Sequence, residues 1–404
     1  MIKFRDKRFL IPFDARREKV KKLIITLLMA ATLFNITSCG KNENMQYTSE
    51  EYLPEFDDQT NIIYRRNFAE GNSGYYFYDL MSYVQYYDFD SGNTHILCSK
   101  PECTHEDENC NAYAGGVTIR YAEGDLYYVA EEALTGDFYF WRKSGDGSET
   151  EKLFFLFHLE DGEMEFSSTL FCIHRGYVYY FLNTTEEEST YTLYRRKLEK
   201  KAKAEVLEKL ESETELYYEV YGSGTKIYYV IENYEKENEH MEIRSYDIVN
   251  GDIKTEIEKL GLGESYYIYR TKIYYTNEQD ICEKDLKSGE EKVIMSGEFS
   301  ESVFVHADDK YLYFDNAKDI EERLEPLEHI AEKMKEWYQD RKIYIYDKET
   351  LQQVNVLAIP TETDANFNVT SDYLTLSILD NEFKILNKNE ITSENPEWVK
   401  IYEQ

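Results

Sequence analysis

The chain is poor in the residues that interrupt or staple a fold. Six prolines in 404 residues, and no Pro-, Ser- or Gly-rich stretch after residue 60, leave no linker at which to divide it into domains. Its longest apolar run, Leu23 to Ile36, is 14 residues with Asn35 inside it, too short to span a bilayer. Basic residues are scarce, with 46 Lys and Arg against 79 Asp and Glu, so a phosphate backbone is repelled and nucleic acid is excluded as a partner. There is no Gly-x-Ser-x-Gly elbow, no His-Glu-x-x-His helix, no Gly-x4-Gly-Lys loop and no dinucleotide fingerprint. With carboxylates so abundant, no acid pair stands out by its spacing. Cysteine is limited to six, and three of them fall within thirteen residues, "CSKPECTHEDENC" at 98–110.

The N-terminus is organised as an export signal. Lys19, Lys21 and Lys22 precede the apolar run, and Thr37-Ser38-Cys39-Gly40 follows it. "ITSCG" resembles a bacterial lipobox, which implies cleavage before Cys39 and attachment of diacylglycerol to that cysteine. The alternative is an ordinary signal peptide with a chance cysteine. The basic region before the apolar run is long, 22 residues, and a start at Val20 would give a more usual signal. Residues 1–38 are thus read as the lipoprotein signal, and 39–60, polar and acidic, as a flexible tether. The expected address is the extracytoplasmic face of the cell membrane, with the membrane as a partner through the lipid. The first 38 residues hold nine Lys/Arg and three Asp/Glu, so 37 basic and 76 acidic residues remain, a net charge near −39. That surface keeps an exported protein soluble; the sharper reading is attraction of cationic ligands or calcium.

From residue 61 on, a strand signature recurs: "GYYFY" (74–78), "GDLYYV" (124–129), "GYVYYF" (176–181), "GTKIYYV" (224–230), "RTKIYYT" (270–276), "DKYLYF" (309–314) and "SDYLTLS" (371–377). Each alternates apolar and aromatic residues at the strand period, and a further strand pair with a turn follows most of them. Ser91-Gly92, Asn250-Gly251 and Ser288-Gly289 suit hairpin tips that need a positive φ. The signatures are mostly about 39 to 52 residues apart, the period of a four-stranded propeller blade. One longer interval of about 61 holds an amphipathic stretch at 318–340, with Ile320, Leu324, Leu327, Met334 and Trp337 on one helical stripe. The expectation is an all-β propeller over 61–404 with seven blades favoured, six or eight being compatible, and one helical insertion. A pair of β-sandwiches or a solenoid fits the repeat less well. "NIIYRRNF" at 61–68 is expected to close the ring beside "NEFKIL" in the last blade. The 38 tyrosines read as packing between sheets, with a sugar-stacking platform as the rival reading.

The lipobox, the "LYYV"-type repeats and "LCSKPECTHEDENCNAY" together resemble hypothetical lipoproteins of Gram-positive, Clostridia-type anaerobes. Those carry a TolB-like or low-density-lipoprotein-receptor-like β-propeller. The resemblance covers nearly the whole exported chain and brings no known activity.

Cys98, Cys103, His105 and Cys110 offer three thiolates and an imidazole, the donor set of a closed tetrahedral zinc site, although no Cys-x2-Cys knuckle is present. Export equally permits a disulfide among these cysteines, and free thiols are the third possibility. Apart from Cys39, five cysteines remain, an odd number that leaves pairing incomplete; Cys172 and Cys282 read as buried thiols on strands. In either leading case the segment is a structural staple. "DFDSGN" (88–93) fits a hairpin turn better than a calcium loop, and "CIH" (172–174) and "HADD" (306–309) read as core or turn residues. No catalytic residue is singled out. Two functions remain: a propeller that binds an extracellular polysaccharide, peptide or protein, or a hydrolase or lyase working at the channel.

Overall fold

Seven times the chain lays down four consecutive antiparallel strands, each paired with the one before it. The computed structural model describes residues 48–53, 57, 68–79, 81–132, 135–158, 171–184, 190–211, 215–235, 238–297, 303–317, 338–361, 363, 365–378 and 382–403. From Glu50 onward these form one unit. The blades span 68–96, 116–158, 171–211, 215–260, 266–296, 304–358 and 365–403. First strands of neighbouring blades touch each other, as the innermost strands of a propeller do.

All seven signatures form the second strand of a blade. That strand has a sheet neighbour on each side and a packed blade on each face. Accordingly Gly74–Tyr78 and Tyr311–Asp315 are buried at every position. Tyrosine suits such a strand because its ring fills the gap between sheets while its hydroxyl reaches an acceptor. Here the acceptors are often carboxylates: the hydroxyl of Tyr229 donates to Glu208 (2.6 Å), that of Tyr275 to Glu291 (2.6 Å) and that of Tyr313 to Asp308 (2.6 Å). Part of the acidic excess thus serves the tyrosine-rich interior. The expected hairpin tips at Gly92, Gly251 and Gly289 have φ of 66°, 80° and 74°. "DFDSGN" is one of them, with the Asp88 carboxylate accepting the Ser91 N–H at 2.7 Å.

Ring closure differs from the expectation. The outer neighbour of the "NEFKIL" strand (Glu382–Asn387) is the C-terminal strand Val399–Glu403, while Phe68 opens the innermost strand of blade 1 opposite Phe77. Residues 61–67 lie outside the described residues. A strand that follows after eleven residues closes a short loop, whereas one from the N-terminus would close a loop of about three hundred, at greater entropic cost. The seam between blades 7 and 1 is sealed by side chains. Phe68, Tyr75, Phe77, Tyr87 and Phe383 form a buried aromatic cluster, with the Phe77 and Phe383 rings 4.3 Å apart. Tyr75 bonds Thr370 (2.7 Å) and Thr94 donates to the Ile401 carbonyl (2.6 Å). The helical insertion expected at 318–340 lies, but for its last three residues, outside the described residues. Among those described, no helix is long and apolar enough to cross a membrane.

Candidate functional site

Cys98, Cys103, His105 and Cys110 converge: one donor atom from each lies within 4.8 Å of all the others. The loop turns on itself at Pro101-Glu102, where the Cys103 N–H bonds the Lys100 carbonyl (3.3 Å). It turns again at Asp107, whose carboxylate accepts the Asn109 N–H (2.9 Å) while its carbonyl accepts that of Cys110 (3.1 Å). His105, between the two, adopts φ +58° and brings Nδ1 to 3.2 Å from the Cys110 sulfur. The loop is held on both sides. Tyr113 bridges Tyr83 of blade 1, and the Asn111 side chain donates to the carbonyls of Gly147 and Ser148 in a hairpin tip of blade 2.

None of the five described cysteines is bonded to another. Backbone N–H groups point at the sulfurs: Lys100 and Asn111 at Cys98, and Ala112 at Cys110 (3.3 Å). Donors so placed favour thiolate over thiol. Burial pushes the Cys110 thiol up to about 11, whereas at Cys98 burial is opposed by those N–H groups and by hydrogen bonds from the Cys110 and Cys103 thiols, which together hold it below the ordinary thiol range. Three soft thiolates and an imidazole, with Cys110 buried and the other three half-buried, fit a divalent metal of zinc type. Such a metal would supply a cross-link, not chemistry, because four protein donors leave no open position. Close behind lies Lys143, fully buried, its ammonium donating to the Asn111 carbonyl and to Thr150 Oγ1 (2.8 Å). Burial pulls it down to about 8, against the pull of Cys110 and Cys98.

A second feature was not singled out from sequence. Where the innermost strands of blades 1, 5, 6 and 7 end, a cavity of about 530 Å³ opens at the channel mouth. Glu70, Tyr269, Ala307 and Val369 line it, with the turn residues Arg270, Asp308, Asp309 and Lys310 and, from another turn, Lys388. Arg270 pairs with Asp309 (2.7 Å) and Lys388 with Asp308 (2.5 Å). Burial works against ionised Asp308, but the Lys388 ammonium and the Tyr313 hydroxyl keep it below the usual carboxylate range. "HADD" therefore contributes a turn to this mouth, while His306 packs between Tyr267 and Phe367.

Tyr52, from the stretch expected as tether, lines the same cavity, 5.1 Å from the Arg270 guanidinium. That stretch is tied down at Asp57, which is buried and accepts from Arg175 Nε (2.7 Å), the Gly224 N–H (2.8 Å) and the Leu53 N–H (3.0 Å). His174 of "CIH" is fully buried beside this pair, Nε2 2.8 Å from the Gly224 carbonyl, and burial pulls it down to about 4. Cys39 lies outside the described residues.

A third group lies on the innermost strand of blade 4. Glu219 is the extra residue of a bulge, has φ +55°, and accepts hydroxyl bonds from Tyr221 and from Tyr266 (2.5 Å). Burial pushes its carboxyl up to about 7 despite both hydroxyls. A folded pKa above the unfolded value of ~4.5 means that its stability contribution is complete below about pH 4.5 and is lost as pH rises through 7. Glu219→Gln is therefore expected to leave thermal stability unchanged at pH 4.5 and to raise it at pH 8, by up to about 3 kcal/mol. Melting curves at the two pH values check this; an equal effect at both would contradict it.

No family model matches the chain, and no curated protein matches it. Solved structures do. A chain from a structural and mechanistic analysis of two prolyl endopeptidases is 12% identical with a TM-score of 0.55, over 94% of this chain and 55% of that one. The β-propeller domain of the Trilobed protease from Pyrococcus furiosus is 10% identical with a TM-score of 0.47, over 83% and 97%. An oligogalacturonate lyase in complex with manganese is 11% identical with a TM-score of 0.47, over 87% and 92%. At such identities the likeness shows the fold alone, and this chain spans about half of the endopeptidase's length.

Proposed function

We propose that this protein is a lipoprotein anchored through Cys39 at the extracytoplasmic face of the membrane, whose propeller is a binding module for an extracellular ligand. Cys98, Cys103, His105 and Cys110 hold one structural zinc. The observation that supports the binding role is the composition of the channel mouth. Tyr52 and Tyr269, half-buried, offer ring surface beside Arg270, Lys310 and Lys388 and beside Glu70, Asp308 and Asp309, while Tyr267 and Tyr311 are buried in the wall behind. In a chain of net charge −33, a mouth with balanced charges is a local departure. Rings with closely set donors and acceptors suit a polysaccharide, which presents C–H faces to stack and hydroxyls that both donate and accept. Peptide and protein ligands are the other members of this reading.

The test uses the native protein, whose N-terminal peptide is expected by mass spectrometry to be diacylated at Cys39. Screened on a glycan array, it should retain a defined set of saccharides, and Tyr52→Ala should weaken retention about tenfold, a loss of ~1.4 kcal/mol. No retention of any glycan, or retention indifferent to Tyr52, would reject the polysaccharide reading. A hydrolase or lyase remains the second reading, favoured by one observation: Glu219, an acid held near neutrality on a strained innermost strand, has the character of a general acid or base. Turnover abolished by Glu219→Gln would select it.

A further inference from the structure

Lys143 sits in the third strand of blade 2 (Asp137–Ser144) with no exposed surface. Among the described residues its ammonium touches only neutral groups: the Asn111 carbonyl, the Thr150 hydroxyl and, at 6.0 Å, the Tyr128 ring. Among the described residues no carboxylate is within ion-pair distance of it, in a chain with 79 of them. A buried ammonium without a counter-charge is costly, and proteins avoid the arrangement. The acidic side chains nearest in effect are the thiols of Cys110 and Cys98, and Asn111, which Lys143 grips, follows Cys110 directly.

We propose that Lys143 is the counter-ion of the metal site, balancing a centre in which a divalent metal is bound by Cys98, Cys103 and Cys110 as thiolates and by His105 as neutral imidazole. The inference rests on the metal reading of the cluster. The charges close among the buried groups: three thiolates and one dication leave a single negative charge and Lys143 neutralises it, while Lys100, the other ammonium of the loop, is exposed to water and donates to the Asn109 carbonyl. The thiol protons go to water as the metal binds. A disulfide does not close the sum, since two bonded sulfurs and one thiol are neutral and would leave Lys143 buried with nothing opposite. A four-cysteine site would need a second cation, and a two-cysteine, two-histidine site would need none. The lysine and the Cys3His set account for each other.

The experiment is a zinc titration of the mature protein against a chromophoric chelator, with melting curves of the metal-free and zinc-loaded forms. Lys143→Met keeps the length of the side chain and removes its charge. It is expected to weaken zinc binding about 10- to 100-fold, the usual effect of losing an outer-sphere partner, and to raise the melting temperature of the metal-free form, which no longer buries an ammonium. Lys143→Arg keeps the charge and is expected to stay within about threefold of wild type, by the same comparison. Zinc affinity of Lys143→Met within threefold of wild type would overturn the assignment. So would a lower melting temperature of its metal-free form, which marks a packing role. Failure of the wild-type protein to bind zinc or cobalt at all would instead strike the metal reading itself, and the two failures are told apart by that first titration.

Discussion

Protein purified without chelator is expected to carry one zinc per chain, and His105→Ala to lose it. Removing the zinc should destabilise the protein by about 4 kcal/mol where free zinc exceeds Kd a thousandfold. The effect is large because hydrogen bonds hold the loop to blades 1 and 2 while it carries little apolar core of its own. Among the described residues its buried apolar cluster is Tyr83 of blade 1 with Cys110 and Ala112, and Ile96, Cys98, Cys103 and Tyr113 pack half-buried against them. With the fourth donor gone, three thiolates in one pocket repel each other and take up protons. The damage should be local first: amide exchange should rise at 98–113 and in the blade 2 hairpin tip that Asn111 grips, before the other blades respond. Binding should weaken as pH falls, because thiols must release protons to the solvent, and Cys110, pushed up to about 11, gives its proton up least readily. Elemental analysis with a free-thiol count checks this: no metal together with fewer titratable thiols would support a disulfide instead.

The second large effect is expected at the N-terminal end of the described chain. Asp57→Ala takes the carboxylate from the Arg175 guanidinium, in a place where both side chains are completely buried, and leaves it the Glu51 carbonyl among its acceptors. Breaking one partner out of such a pair costs about 3–5 kcal/mol. Because Asp57 lies in a segment that leads into the propeller, the molecule can avoid part of that cost by letting the segment go and admitting water to Arg175. The expected result is fast amide exchange at Leu53 and Gly224, whose N–H groups both bond Asp57. The Tyr52 ring would leave the channel mouth with it. Exchange at both positions unchanged from wild type would show that the segment is held by something other than this pair.

What could be read from sequence follows from how constrained each element is. The seven signatures were legible because second strands are buried on both faces, and aromatic and β-branched residues are almost the only ones that fit there. Several first strands, such as the three-residue Phe68–Glu70, carry too few residues to show a period. The Cys3His cluster was legible because its four donors lie within thirteen residues, so local turns suffice to assemble it. The Asp57–Arg175 pair, 118 residues apart in sequence, left no local trace. Nor did Glu219: it stands in an ordinary-looking strand, "ELYYEVYGS", and only the bulge reveals which acid turns inward. Lys143 was hidden for a different reason. A lysine in "WRKSGDG", just before a hairpin tip, has the composition of a solvated position, and only the fold brings Asn111 of the cysteine loop onto its ammonium. The ring closure was misjudged because both "NIIYRRNF" and "VKIYE" have the composition of a strand, and loop length, not composition, separates them.

The measurement that bears most directly on the Cys3His cluster is zinc-edge X-ray absorption on the native protein. Three sulfur scatterers at ~2.3 Å and one nitrogen at ~2.0–2.1 Å are the expected shell, and the nitrogen should disappear in His105→Ala. A native protein with no zinc edge, and with two of Cys98, Cys103 and Cys110 joined by a disulfide in its peptide map, would contradict the metal site and with it the role given to Lys143.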